Sequence, residues 1–459
     1  MTEIGLKIYD LLKGTHVRHT MGFLEESQYW SLEELQEFQG KKLKDLLNVV
    51  EAEVPFYREY EGTREREYEN ARIQEGESLI PSRIPEFSNS HTPIIYKLMV
   101  MKAGDELLSD KINLKKCKMS RTGGTTGPPL RLYRDTETRS WALAAYYRFY
   151  GWMGIEPGMP EVELWGSTEI RYQKSDTRSQ KFPRPSHRVP RPGLFEKISK
   201  FRNYNAFSFN DAYLEEVVKR IQKFQPKLIR GYLSAIILLA EYIKRNNIKG
   251  INPIAVSCTS ETLFPEYRKM IEEVFQAPLF NQYGCGECNS IAFECKEHNG
   301  MHVSMEHCIL ESDENNNLIM TNLDNYSQPF IRYKNGDMGV IDTNPCACGN
   351  AAPRLTELHG RANENIILKD GSSVNGIFFA NLLDQAGFIN SSKMLRFQVI
   401  QDVAGEIEFK AEVKRQMAAG DLGKIKDALM PFFSKVDISQ HQFLDPGTGG
   451  KFRYIISNV

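Results

Sequence analysis

The sequence predicts an α/β protein with a large N-terminal domain of several subdomains over residues 1–360 and a small α+β domain over residues 361–459. Three observations predict it. Between residues 90 and 350, helical and strand-like pieces alternate, as in a sheet with buried strands. From Arg361 the texture changes to strands of alternating apolar and polar residues around one helix. At 459 residues the chain exceeds one ordinary core, so two or three structural units are expected.

The elements follow in order. Residues 1–60 read as helical and packed. Ser31 with Glu34 three residues later is a capping box that opens a helix over Leu32–Glu53, and Leu32, Leu35, Phe38, Leu43, Leu46, Leu47 and Val50 roughly keep helical spacing. Thr138–Tyr150 and Leu214–Phe224 read as helices. Lys227–Tyr232 reads as a short strand turning into a helix over Ala235–Arg245, Ile254–Ser257 as another strand and Glu266–Phe275 as another helix. In the small domain, Leu395–Gln401, Glu406–Val413, Asp437–Phe443 and Phe452–Ile456 read as strands and Leu422–Phe433 as a helix.

Composition narrows the function. Basic and acidic residues number 58 and 59, so no global charge draws the chain to nucleic acid or to an anionic membrane. No apolar run reaches the roughly 18–20 residues of a bilayer span. The start, Met1-Thr2-Glu3-Ile4-Gly5, carries no basic and apolar leader, which makes the cytoplasm the expected compartment and leaves peripheral membrane association open. The segment Arg171–Arg202 holds ten Lys and Arg residues against Asp176 and Glu196, with four prolines. It reads either as a solvated loop or as a lid that attracts an anionic substrate.

Chemistry concentrates in a few places. Thr122-Gly123-Gly124-Thr125-Thr126-Gly127-Pro128-Pro129 precedes the strand-like Leu130–Tyr133. Short side chains there let backbone N–H groups and hydroxyls gather around a polyphosphate. It is not a Walker A loop, because no Lys-Ser or Lys-Thr follows the last glycine. Near the end, Asp445–Lys451 is a glycine loop that delivers one lysine.

The eight cysteines, in a chain of this length without an export signal, read as thiols or metal ligands. Cys346-Ala347-Cys348-Gly349 is a tight sulfur pair, with Cys295 and His302 about fifty residues upstream. Two sulfurs on one knuckle with a sulfur and an imidazole elsewhere make a tetrahedral zinc set, closed by protein and therefore structural. His298 competes with His302, and Cys285 with Cys288 forms another pair. His302 is preferred because Gly300–Val303 looks like an ordered strand entry.

Thr122–Pro129, Ser260-Glu261, Tyr283–Glu287, Ile331–Asp337, Gly360-Arg361 and Gly450–Arg453 occur in that order. Together they resemble the adenylate-forming superfamily of acyl-CoA synthetases and adenylation domains. Within it, the chain looks like the phenylacetate–CoA ligase branch, in particular its capsular-polysaccharide (CapK-like) members. The segments from Ser31 to Arg58 and from Leu228 to Ser234 look like that branch too, so the resemblance spans nearly the whole chain.

The resemblance implies an AMP-binding domain over 1–360 and a mobile lid over 361–459. It implies that Thr122, Gly123, Gly124, Thr125, Thr126 and Gly127 wrap the β- and γ-phosphates of ATP. Ser260 and Glu261 would border the adenine and α-phosphate pocket, and Tyr283 would stack on adenine. Glu287 would help hold magnesium, a hard cation that suits a carboxylate beside phosphates. Asp337 would accept the ribose hydroxyls, with Arg361 as a nearby ribose contact. Lys451 would be catalytic, reaching the α-phosphate and the attacking carboxylate and easing the approach of two anions.

Three departures stand out. Pro128 occupies a place where the family's loop often carries lysine, so one phosphate contact is missing or supplied elsewhere. The hinge position commonly filled by Asp is Asn363. The stretch Lys369–Val374 lacks the glycine-rich pattern that accompanies thioester formation, which weakens the coenzyme A assignment. The implied reaction is ATP-dependent activation of a small-molecule carboxylate, then transfer to coenzyme A, an amine or a sugar-linked acceptor, in surface-polysaccharide biosynthesis. The alternatives are nucleotidyl transfer to a hydroxyl and a non-catalytic, zinc-stabilised scaffold that binds nucleotide.

Overall fold

The computed structural model describes residues 3–58, 94–121, 130–165, 200–205 and 211–361, and residues 366–459 without 372, 375–377, 380–381, 384–385, 389–392, 395, 414 and 445–452. The Thr122–Pro129 loop, the junction Asn363–Asn365, Lys451 and residues 171–199 of the basic segment lie outside the described residues. The chain divides into two compact units. One comprises Glu3–Met153 and Gln282–Leu358; the other comprises Gly154–Asn281 and His359–Val459 with Met1–Thr2.

In the Gly154–Asn281 part, strands Glu161–Trp165, Phe201–Asn205, Leu228–Tyr232 and Ala255–Thr259 run parallel, in the order 255–259, 228–232, 161–165, 201–205. Helices Asp211–Phe224, Leu233–Arg245 and Pro265–Phe275 accompany them. Parallel strands need such crossovers and are covered on both faces. That is why Leu228, Ile229, Ala255 and Val256 are all buried. Each helix begins one to three residues earlier than the apolar spacing suggested, within the range by which helix ends vary. Gly231 is fixed by contact: a Cβ there would stand 2.3 Å from the Leu164 carbonyl oxygen of the neighbouring strand.

The same unit contains a four-stranded sheet in the order Lys435–His441, Glu406–Glu412, Arg396–Val403, Ile455–Ser457, with helix Ala419–Leu429. Phe397 and Phe409 stack across the antiparallel pair at 5.8 Å between ring centres. Tyr454 packs against Phe264 and Tyr267.

The other unit sets helices against a mainly antiparallel sheet. Its strands are Cys308–Ser312, Asn317–Asn322, Tyr333–Asp342, Arg354–Arg361, Met301–Val303 and Ala292–Glu294, in that spatial order. The capping box forms as expected: Glu34 N–H donates to Ser31 Oγ at 3.2 Å, and Ser31 N–H donates to Glu34 Oε2 at 2.7 Å. Asp135 caps helix Thr136–Trp152 by accepting from Thr138 N at 2.9 Å.

The helices bring cations to buried carboxylates. Arg148 pairs with Glu306 at 2.7 Å, and Ser27 Oγ donates to the same carboxylate at 2.5 Å. Lys42 pairs closely with Asp324 and lies 3.7 Å from the centre of the Trp141 ring. Among the described residues, no helix is long and apolar enough to cross a membrane.

Burial opposes ionisation of Glu306, but Arg148 and Ser27 outweigh it and hold its carboxyl below the ordinary range. A carboxyl lowered on folding contributes stability above its unfolded pKa and loses it as pH falls through the folded one. Glu306→Ala is expected to cost about 3–5 kcal/mol at neutral pH by stranding the buried Arg148 charge. Chemical denaturation checks this. The wild-type advantage should shrink as the pH is lowered through the acidic range, where Glu306 takes up its proton.

Candidate nucleotide site and metal centre

Strand Tyr333–Asp342 does not pair evenly with Asn317–Asn322. Ile319 faces Lys334 and Asn317 faces Met338, so Leu318 alone spans Asn335, Gly336 and Asp337. Gly336 supplies a φ of +87°, a value that favours glycine. The bulge turns Asp337 towards Tyr283, the last residue of strand Leu279–Tyr283. Tyr283 Oη donates to Asp337 Oδ2 at 2.8 Å, and Asn335 Nδ2 reaches both Tyr283 Oη and Asp337 Oδ2 at 2.8 Å. Asp337 N–H closes the turn on Asn335 Oδ1 at 2.9 Å. Burial, with Asp337 alongside, pushes the Tyr283 phenol well above its ordinary value and keeps it a donor.

Glu287 lies on the loop that follows. Gly284 lets that loop double back: a Cβ there would sit 3.0 Å from Ser290 N. Glu287 is buried, accepts from Tyr333 Oη at 3.1 Å, and has its pKa raised by burial. The loop is held from behind. Asn322 Nδ2 donates to the Glu287 carbonyl at 3.1 Å, and His307 Nε2 lies 2.7 Å from the Asn289 carbonyl. His307 Nδ1 faces Asp324, the acid that also holds Lys42. Ser260 and Glu261 belong to the other unit. Ser260 adopts a φ of +75°, and both Glu261 oxygens accept from Ser234, from its N–H at 2.7 Å and its Oγ at 2.8 Å. Glu261 thus satisfies the amino end of helix Leu233–Arg245.

Cys295, His302, Cys346 and Cys348 come together as expected, with ligand atoms all within 4.8 Å of one another. Cys295 Sγ lies 3.8 Å from Cys346 Sγ, and Cys348 Sγ lies 3.2 Å from His302 Nε2. His302 Nδ1 faces the Ala352 carbonyl at 2.9 Å. A carbonyl only accepts, so Nδ1 carries the proton and Nε2 offers its lone pair towards the sulfurs. Asn350 N–H donates to Cys348 Sγ at 3.4 Å, and Gly349 makes the knuckle turn with a φ of +88°. Burial and the neighbouring sulfurs push the Cys295 thiol up to about 12. The two pairs of facing ligand atoms suit a tetrahedral cation, which would hold the sulfurs as thiolates. His298 stands apart from the cluster, 3.2 Å from Glu294. Cys285 and Cys288 bond to each other's backbone within the Glu287 loop.

Comparison with known proteins adds to this geometry. No family model matches the chain. Protein CapK of Staphylococcus aureus is 24% identical over 453 residues, covering 96% of this chain and 94% of CapK. The phenylacetate–coenzyme A ligase of Thermus thermophilus is 26% identical over 174 residues, 34% of this chain and 38% of the ligase. Among solved structures, 2-hydroxyisobutyryl-CoA ligase in its postadenylation state superposes with a TM-score of 0.69 at 16% identity, covering 94% of this chain and 92% of that one.

The chain is thus similar to CapK over nearly its whole length and to phenylacetate–coenzyme A ligase over about a third of it. Its fold is that of ligases with a large N-terminal and a smaller C-terminal domain.

Set against this fold, Tyr283, Glu287 and Asp337 of the sequence reading fall within one unit. Ser260 and Glu261 lie in the other, and the backbone of Arg361 ends strand Arg354–Arg361. Sequence reasoning assigned no role to Tyr333 and Asn335, although both stand inside a quoted motif. It also missed His307 and Asp324, because a pair 17 residues apart has no periodicity.

The donor set predicts that Cys346→Ser or Cys348→Ser lowers bound metal and melting temperature together. Cys285→Ser should leave the metal in place. Elemental analysis of protein purified without chelators checks both; near-zero metal in fully stable wild-type protein would refute the centre.

Proposed function

We propose that the protein is an ATP-dependent ligase that activates a carboxylate as an acyl-adenylate and releases pyrophosphate. The observation that carries the reading is the Tyr283–Asn335–Asp337 triangle beside buried Glu287. A carboxylate only accepts, and a ribose presents two adjacent hydroxyl donors. Asp337 takes that pair, with Asn335 fixing its orientation and the Tyr283 ring stacking on adenine. Ser260 and Glu261 border the adenine and α-phosphate pocket, and Arg361 is a further ribose contact. Glu287 would hold magnesium, a divalent cation that would offset phosphate charge. Thr122, Gly123, Gly124, Thr125, Thr126 and Gly127 surround the β- and γ-phosphates. Lys451 places its ammonium between the α-phosphate and the attacking carboxylate. The similar solved structures support this reading: 2-hydroxyisobutyryl-CoA ligase is seen in complex with R3-HIB-AMP, and with 2-HIB-AMP and CoA.

The acceptor in the second half-reaction is coenzyme A, an amine or a sugar-linked group. In this proposal the reaction serves surface-polysaccharide biosynthesis, on the family resemblance of the sequence motifs, and takes place in the cytoplasm. The metal of the Cys295–His302–Cys346–Cys348 centre is zinc, in a structural role.

Pyrophosphate exchange into ATP across a panel of carboxylic acids tests the reaction. One or more acids should drive exchange; ATP binding without exchange for any acid would refute it. With the active acid, Lys451→Ala should lower exchange by about 10²–10³-fold and leave ATP affinity nearly intact, since it acts in the transition state. Asp337→Ala should weaken ATP binding instead.

Residues 361–459 form the mobile lid in this proposal, and Asn363–Asn365 the hinge. Limited proteolysis is expected to cut near that hinge, at a rate changed by ATP or an adenylate analogue. Identical cutting in every ligand state would refute the lid.

A further inference from the structure

The first helix, Glu3–Lys13, rests on its unit by one face. Leu6 is buried, and Tyr9 Oη accepts from Arg139 Nη2 at 3.3 Å. Asp10 turns back to the next helix, Val17–Ser27, and satisfies its amino end. Its carboxylate accepts from Thr15 Oγ at 2.7 Å, from Val17 N–H at 2.9 Å and from Arg18 N–H at 3.1 Å. The opposite face is bare. Ile8, Leu11 and Leu12 are 51%, 83% and 74% exposed. At 3.6 residues per turn the three share an arc of about 100°. Lys7 borders that arc and Lys13 ends the helix; both are exposed and form no ion pair among the described residues.

Single exposed apolar side chains are ordinary, but a contiguous arc of them with cations at its margin marks an interaction surface. Its charge and its size choose the occupant. An isologous contact with a second copy would set the same lysines against each other across a twofold axis. Three side chains cover far less than the roughly 800 Å² that each partner buries in a stable protein interface. A bilayer imposes neither condition. Its acyl chains take up small apolar side chains one by one, and anionic headgroups meet the lysines. The even net charge of the whole chain does not oppose this, because salt confines attraction to charges within about 10 Å of the surface. With 11 residues the helix is too short to span the hydrocarbon and would lie in the headgroup plane.

We propose that helix Glu3–Lys13 docks the protein on an anionic membrane surface. Ile8, Leu11 and Leu12 enter the boundary between headgroups and acyl chains, and Lys7 and Lys13 lie on the headgroups. Leu6, Tyr9 and Asp10 keep the helix fastened to the protein meanwhile, so docking needs no unfolding. One short helix of this kind gives reversible attachment that weakens as salt rises. The inference is independent of the nucleotide reading.

Co-sedimentation of the full-length protein with vesicles tests it. One set is phosphatidylcholine alone, the other phosphatidylcholine and phosphatidylglycerol in equal parts. Wild-type protein is expected to pellet with the mixed vesicles at low salt and to stay largely in solution with the neutral ones. Replacing both leucines, Leu11→Ser with Leu12→Ser, should lower partitioning by at least about 10-fold, since both side chains lose their apolar transfer. Lys7→Gln with Lys13→Gln should lower it by about 10-fold or more on mixed vesicles and leave the neutral ones unchanged. All four positions are exposed, so melting temperatures near wild type are expected and guard against misfolding. The proposal is overturned if wild-type protein pellets with neither set, or if both double variants partition as wild type does. It is also overturned if the leucine variant instead abolishes a dimer seen by analytical ultracentrifugation, which would give this face to a second copy.

Discussion

Glu306 and Asp324 are buried carboxylates, and the unit that carries them cannot close without their cations. Arg148 comes from helix Thr136–Trp152 and Lys42 from helix Leu32–Glu53, while the acids lie next to the sheet strands. Displacing either helix would leave a charge unpaired in the interior, a larger penalty than the loss of a few apolar contacts. Pairing therefore fixes where the helices sit. The consequence reaches the site, because Asp324 also orients His307, and His307 holds the Asn289 carbonyl. Glu287 is two residues away on the same loop. The placement of its carboxylate is thus tied, through His307, to the Lys42–Asp324 pair.

Much of this architecture can be read from the chain. The Ser31/Glu34 cap, the helix it opens and the strand–helix alternation are local signals, carried by residues within one or two turns of each other. The Cys346/Cys348 knuckle is local too, and the chemistry of sulfur narrowed its upstream partners to a handful. Local signals also explain where the boundaries drifted. The last strand forms at Ile455–Ser457 and the small-domain helix at Ala419–Leu429, each a few residues from the apolar pattern that announced it.

What escaped the sequence reading is set by contacts across long separations. Glu306 meets Ser27 and Arg148, and Asp324 meets Lys42, but none of these pairs leaves a mark along the chain. Glu261 is instructive in another way. Its place in a motif announced a pocket residue, and the structure finds both of its oxygens on Ser234. A carboxylate can shape a site by holding the start of a helix. Motif position alone does not separate that task from direct contact with a ligand.

The three-residue bulge at Asn335–Asp337 has an evolutionary reading. Side chains on a strand alternate in facing, so loss of one residue there would reverse the facing of every position from Met338 to Asp342. Gly339 leaves no slack for such a change, since a Cβ at that position would stand 2.5 Å from the Glu357 carbonyl oxygen. The turn at Asp313–Asn317 is tied to that strand as well: Lys334 pairs with Asp313 at 3.2 Å, and Gly339 N–H donates to the Asn316 carbonyl at 2.8 Å. Drifting relatives of this fold should keep the spacing from Tyr333 to Asp342 invariant. The bulge thus acts as a length standard for the strand Tyr333–Asp342.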